Sequence, residues 1–403
     1  MRKTIRLFLI VGLLCVANMS RVANKSFKAA AESDYTLGAV EIVSGNEALS
    51  TKAKAAYVMD YDTQTPIYLQ NESKRLPIAS MCKIMTLILC FDSIRDGQIA
   101  FDEEICVSES AASMGGSQVF LEANAKYPVK ELIKSIVVCS ANDSCVAMAE
   151  RIAGSESLFV DKMNEKAKEL GATNTLFANC TGLPKEPQYS CAKDVAIMLK
   201  ELLKNEEYYQ FGSVWMDKFQ HPKGRYTEIS NTNKLVRFYD GCDGGKTGFT
   251  NEAGFCLAAT AKRNDMRIIS VVIGEESSAK RFEDVKMLFD YAFANYTITP
   301  LVEADKPLNE AIEVVSGKTK SLPIYAERTA NAFMKRGEKN NYTTELHLNV
   351  LKAPIEKGSV IGELLLFKDG VEYDRVNILA GESIEKANFF DCLREVAGEW
   401  NAH

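Results

Sequence analysis

Ala79-Ser80-Met81-Cys82-Lys83-Ile84-Met85-Thr86-Leu87-Ile88-Leu89-Cys90-Phe91 is the stretch from which the fold can be read. Ile84, Leu87, Ile88 and Phe91 recur at spacings of three and four, which predicts a helix from Ser80 to about Ser93. Upstream, the apolar pieces Ala55 to Tyr61 and Pro66 to Leu69 flank Asp62-Thr63-Gln64-Thr65 and predict a hairpin. Downstream, helical spacing returns over Val129 to Val138, Asp143 to Ile152, Phe159 to Leu170 and Ala192 to Leu203. Strand-like runs follow at Gly254 to Ala261 and at the β-branched Arg267 to Ile273. A last helix places Phe282, Val285, Phe289, Ala292 and Phe293 on one face. Strands at both ends with helices between them predict one mixed α/β (α+β) domain whose sheet is completed late in the chain.

From about Thr297 to Pro307 the pattern changes to short strands: Ala311 to Val315, Leu322 to Tyr325, Glu345 to Val350, Val360 to Phe367 and Val371 to Ile378. Leu346, Leu348 and Val350 alternate with Glu345, His347 and Asn349, the pattern of a half-buried strand, and Lys368-Asp369-Gly370-Val371 predicts a hairpin turn. We read residues 298–388 as a separate all-β sandwich and residues 32–297 as the first domain. The final stretch puts Phe389, Phe390, Leu393, Val396 and Trp400 on one helical face, making 389–403 an amphipathic segment. Asp391, Glu395 and Glu399 oppose a single Arg394 on its polar face, so a membrane surface and packing on the β-domain both remain open.

The amino terminus, Met1-Arg2-Lys3-Thr4-Ile5-Arg6 followed by an apolar run from Leu7 to Ala17, reads as an export signal cleaved after Ala29-Ala30-Ala31. An uncleaved anchor is the other reading. Leu14 before Cys15 argues against a lipid-modified cysteine. The 403 residues carry a net charge of -6, which gives no basic footprint for nucleic acid. Eleven cysteines include no CxxC pair, and Cys82, Cys90, Cys139, Cys145 and Cys256 lie in apolar runs as small core residues. The three histidines, His221, His347 and His403, are far from any cysteine pair at zinc spacing, so neither zinc nor another cofactor is expected.

Three short patterns carry chemistry. Ser80 and Lys83 stand at i and i+3 on one helix face, where lysine reaches the hydroxyl and unpaired N–H groups of a helix start point at it. Alone, the pair reads equally as a capping serine and a solvated lysine. Ser140-Ala141-Asn142 falls in a break between helices. Lys246-Thr247-Gly248, after Asp243-Gly244-Gly245 and before Phe249-Thr250, offers a cation and a hydroxyl to a carboxylate, with glycine for close backbone approach; its plain alternative is a turn.

Together these resemble the Ser-x-x-Lys, Ser-x-Asn and Lys-Thr-Gly set of penicillin-binding proteins and serine β-lactamases. The surrounding text, including Asn231-Thr232-Asn233-Lys234-Leu235 and Met266-Arg267-Ile268-Ile269-Ser270-Val271-Val272, is similar to low-molecular-mass D-alanyl-D-alanine carboxypeptidases from about Leu37 to the end. The resemblance implies a β-lactamase/transpeptidase-like domain with an antiparallel-sheet core, located outside the cytoplasmic membrane. Its substrates would be peptidoglycan stem peptides ending in D-Ala-D-Ala, with β-lactams as covalent inhibitors.

It further implies Ser80 as nucleophile, Lys83 as base and Ser140 as proton relay, with Asn142 holding Lys83 and the substrate amide. Backbone N–H groups of Ser80 and Phe249 would form the oxyanion hole, while Lys246, Thr247 and, at the start of the last helix, Arg281 would take the terminal carboxylate. A lysine base also suits a chain so poor in histidine. Gln188-Tyr189-Ser190 stands where relatives often have histidine before Tyr-Ser, and Phe249 replaces a polar residue of some relatives. A β-lactamase is the runner-up, but Leu183-Pro184-Lys185-Glu186-Pro187 lacks the asparagine of a Glu-x-x-Leu-Asn loop. A non-catalytic sensor of β-lactam or peptidoglycan is the third reading.

Overall fold

A computed structural model describes residues 49–308, 312–319, 321–339, 341–389 and 391. The expected leader, Cys15, Cys392 and most of the terminal amphipathic segment lie outside them.

Five antiparallel strands make the central sheet: β1 (Ala55–Asp60), β2 (Pro66–Gln70), β3 (Cys242–Thr250), β4 (Gly254–Arg263) and β5 (Met266–Glu275), in the order β2-β1-β5-β4-β3. Ala55 of β1 faces Ile273 of β5, and Lys246 of β3 faces Ala258 of β4. Because successive side chains point to opposite faces, β1 feeds two cores. Tyr57 and Met59 join Ile84, Leu87 and Phe159, while Ala56 and Val58 join Val285 and Phe289 on the other side. Both faces are covered, so these strands read as continuous apolar runs.

On one face lie α1 (Lys83–Arg95), α2 (Val129–Cys139), α3 (Asn142–Ala153), α4 (Glu156–Glu169) and α5 (Ala192–Leu202); on the other lies α6 (Ser278–Asn295). Every residue of α1 from Lys83 to Phe91 is buried, so this helix has no solvent face along that length, and the three-and-four spacing describes only part of its packing. The expected single helix from Ser80 is a 3-10 turn, Ala79–Cys82, running into α1. Ser155 and Ser277 cap α4 and α6 by accepting the N–H groups of Leu158 and Lys280, which those helix starts leave unpaired. Gly154 ends α3 in the left-handed conformation.

Two features differ from the expectations of periodicity. The Lys246 motif lies in the middle of β3 and not in the turn that was its plain alternative, because pairing with β4 overrides the low strand propensity of Gly244, Gly245 and Gly248. A Cβ at Gly245 would lie 2.3 Å from the Ala258 carbonyl, so glycine alone allows that pairing. Met216–Gln220 and Tyr226–Ser230 form an additional hairpin whose mostly exposed residues carry no apolar alternation.

The C-terminal region is all β. Tyr296–Val302 pairs with Ala330–Lys335, and a four-stranded antiparallel sheet runs in the order Ile324–Ala326, Val371–Ala380, Val360–Lys368, Tyr342–Leu348. Leu322, Ile324, Leu366, Val376 and Ile378 form its own core. Asp369 (φ 52°) and Gly370 (φ 79°) make the turn between Lys368 and Val371, both left-handed as a two-residue hairpin favours. The expected strand Leu322 to Tyr325 is split at Pro323, which lacks a ladder donor. Val350, expected on a buried face, lies past the strand end and is 90% exposed.

Candidate functional site

The turn carrying Ser80 packs against β3 at Gly248. A Cβ there would sit 2.6 Å from the Ile78 carbonyl and 3.3 Å from the Met81 nitrogen, so the strand reaches the turn only because residue 248 has no side chain. One turn on, Lys83 is fully buried; its Nζ donates to Ser80 Oγ at 3.0 Å and to the Thr181 carbonyl at 2.5 Å. Ser140 occupies the two-residue break between α2 and α3 with φ 65° and ψ 33°, and its Oγ accepts from Lys246 Nζ at 2.8 Å. The structure therefore brings together two serine–lysine pairs drawn from three separate parts of the sequence.

Lys246 is 2% exposed, and burial together with the nearby charge of Lys83 holds its ammonium well below the ordinary lysine range. Its remaining hydrogen bond goes to the carbonyl of Thr247. An anion entering here would meet a lysine with no carboxylate partner among the described residues, and its charge would favour the ammonium form.

Asn142 opens α3, and its Nδ2 donates to the Gly115 carbonyl at 2.7 Å. The hydrogen bonds of Lys83 go to Ser80 and Thr181, so the expected Asn142 to Lys83 contact is absent among the described residues. Phe249 is half exposed and stacks on Phe255 with ring centroids 4.3 Å apart. Arg281 is buried rather than a surface residue: Nη1 donates to the carbonyls of Gly248 (3.1 Å) and Cys256 (3.3 Å), tying α6 to β3 and β4. Burial lowers its pKa to about 10.

The sequence patterns did not single out the Asn179–Leu183 loop. Asn179 Oδ1 accepts from the N–H groups of Thr181 and Gly182, its Nδ2 donates to the Leu183 carbonyl, and Gln188 braces the same loop by accepting from Ala178 and Asn179. The loop is tied to α1 by Thr86, which donates to the Cys180 carbonyl, and it supplies the carbonyl that holds Lys83. Asn-x-x-Gly at 179 and 182 was the only available signal, that of a turn. With Pro77, Ile78, Ala79, Thr250 and Glu252, the loop bounds a cleft of about 270 Å³ beside Ser80. His221, by contrast, bonds Tyr127 and Thr227, not a motif serine. The nine described cysteines are free thiols, seven of them buried and only Cys106 exposed.

Residues 42–277 match the family profile of D-alanyl-D-alanine carboxypeptidase, more than half of the chain. The chain belongs to the D-alanyl-D-alanine carboxypeptidase family. It is a serine-type peptidase by that membership, and residues 296–386 match the C-terminal domain of penicillin-binding protein 5. The D-alanyl-D-alanine carboxypeptidase DacF of Bacillus subtilis is 41% identical over 354 residues, covering 87% of this chain and 91% of the relative. Penicillin-binding protein 5 of Haemophilus influenzae superposes with a TM-score of 0.67 at 30% identity, over 84% of this chain and 98% of that one. Penicillin-binding protein D2 of Listeria monocytogenes, solved with ampicillin bound, gives a TM-score of 0.55 at 29% identity over 61% and 99% of the two chains. In this carboxypeptidase both expected parts are thus present, a helix-and-antiparallel-sheet domain and a β-domain.

Proposed function

We propose that the chain removes the terminal D-alanine from peptidoglycan stem peptides ending in D-Ala-D-Ala by way of an acyl-enzyme on Ser80. The observation that carries this assignment is the pair of buried lysines, each hydrogen-bonded to a serine, Lys83 to Ser80 and Lys246 to Ser140. Ser80 Oγ attacks the carbonyl between the two D-alanines as its proton passes to Lys83 Nζ, 3.0 Å away. The carbonyl oxygen becomes an oxyanion facing the N–H groups of Ser80 and Phe249 across the gap that Gly248 keeps narrow. The C–N bond then breaks, and the leaving amine takes a proton relayed through Ser140. Water hydrolyses the ester and returns Ser80.

The terminal carboxylate is taken by Lys246 and Thr247, and Asn142 receives the substrate amide. Arg281 acts on that carboxylate through the β3 backbone it holds. Gly248 and Phe249 line the acyl-enzyme. β-Lactams acylate the same serine, and residues 1–31 direct the chain to the outer face of the cytoplasmic membrane or the cell wall. The division into a catalytic domain at 32–297 and a β-domain at 298–388 belongs to this reading, as does a peripheral membrane contact by segment 389–403.

The test uses purified residues 32–403. D-Alanine release from a pentapeptide ending in D-Ala-D-Ala and slow-leaving covalent labelling by a tagged penicillin are expected, and Ser80→Ala brings release below about one-thousandth of wild type. Fast penicillin turnover would indicate a β-lactamase, labelling without release a sensor. A Ser80→Ala protein that still releases D-alanine would sink the assignment.

A further inference from the structure

Asp143 follows the motif asparagine, is fully buried and takes no part in the steps above. Its carboxylate accepts the backbone N–H groups of Val119 (3.1 Å), Leu121 (3.1 Å) and Ser144 (2.9 Å). The segment from Gly115 to Leu121 is neither helix nor strand, so its amides have no ladder to join, and the carboxylate takes the place of one. On its other flank Thr227 donates to the Val119 carbonyl at 3.1 Å and Arg225 to the Phe120 carbonyl at 2.9 Å.

This fastened loop turns back onto the site. Its Ser117 carbonyl accepts the backbone N–H of Asn142 and its Gly115 carbonyl accepts Asn142 Nδ2, both at 2.7 Å. A Cβ at Gly116 would lie 2.8 Å from that Nδ2, so the loop fits closely against the amide. The contact fixes which way the amide points: the nitrogen must face the Gly115 carbonyl, and the oxygen, which accepts no hydrogen bond among the described residues, is left for another donor.

We propose that Asp143 is a positioning residue that orients the Asn142 amide by fastening the Gly115–Leu121 loop, so that the amide oxygen is presented to the N–H of the substrate. The inference rests on the substrate role of Asn142 proposed above. Replacing Asp143 by asparagine keeps the shape but gives the site one acceptor oxygen and an NH2 group facing N–H donors. The loop then loses its fastening and Asn142 its fixed rotation.

A double-mutant cycle on the leaderless protein tests this, with kcat and KM for D-alanine release and Tm measured for wild type, Asp143→Asn, Asn142→Ala and the double variant. Asp143→Asn is expected to lower kcat/KM by about 10- to 100-fold well below its Tm, the loss associated with misplacing a positioning group by about 1 Å. In the Asn142→Ala background the same change is expected to cost less than about threefold, because the group it positions is gone. Multiplying losses, or a lowered Tm with wild-type kcat/KM, would show a merely structural aspartate and overturn the proposal. If Asn142→Ala is fully active, the substrate role of Asn142 and this inference fall together. Absence of D-alanine release from wild type would instead strike the proposed reaction itself. Should Asp143→Asn not fold, Gly116→Ala, which presses directly on Asn142 Nδ2, gives the same contrast between the two backgrounds.

Discussion

Replacing Gly182 by alanine is expected to displace Ser80, the proposed nucleophile, without altering its side chain. Gly182 has φ 78°, and a Cβ built on it lies 2.0 Å from the Ala79 carbonyl oxygen, 2.5 Å from the Ala79 carbonyl carbon and 2.9 Å from the Ser80 nitrogen. Ordinary contact begins at 3.4 Å, so loop and turn must separate by about 1.4 Å. Neither side yields easily. The loop is braced by Asn179 and Gln188, and the turn runs into a helix buried on all sides. The left-handed backbone adds about 1 kcal/mol for a residue with a Cβ, and overpacking a braced site adds about 1–3 kcal/mol. If the separation moves Ser80 by even about 1 Å relative to Lys83 and β3, a loss of about 100-fold in acylation is expected. Stopped-flow labelling by a fluorescent penicillin reads that rate directly, and a melting curve reads the stability loss. Acylation within about threefold of wild type would refute the view that the Thr181–Gly182 loop sets the position of the nucleophile.

Two further outcomes follow from buried charges. Glu275 is 1% exposed, neither of its oxygens has a donor, and burial beside Asp284 raises its pKa from 4.5 to about 7. A carboxyl raised in this way favours the folded state while protonated, so stability is present in full below pH 4.5 and is lost as pH rises from 4.5 through about 7. Glu275→Gln should therefore gain about 1–3 kcal/mol over wild type at pH 8 and almost nothing at pH 4.5; equal gains at both pH values, by denaturant melts, would contradict this. Arg281→Met leaves the Gly248 and Cys256 carbonyls without that donor and should cost about 1–3 kcal/mol, with a raised KM for peptide. An unchanged melting temperature would show that α6 does not depend on this tie.

Most of the architecture was legible where burial imposes a period. Helices α2 to α5 fall within a few residues of their expected bounds, and β1, β4 and β5 stand out because two covered faces demand continuous apolar runs. β3 was legible only as a glycine suited to close backbone approach at Gly248; its extent was hidden because three glycines remove the side chains from which a period could be read. The motif residues could be named from sequence, yet their pairing could not, since Lys246 reaches Ser140 across 106 positions. The Asn179–Leu183 loop stayed hidden for a different reason. It acts through backbone carbonyls, which every residue type supplies alike.

The pairing of β1 with β5 bears on how the molecule comes into being. Ala55 finds its partner in Ile273, so a chain cut short before Met266 holds the β1–β2 and β3–β4 hairpins of that sheet but lacks β5, the strand that joins them. Loop closure on this scale is entropically costly and slow. The turn bearing Ser80 meets Gly248 of β3, and β3 joins β1 only through β4 and β5, so that meeting is expected late in folding, after about two thirds of the residues are available. A chain that ends before β5 therefore holds Ser80 and Lys83 without the completed sheet that sets β3 against them.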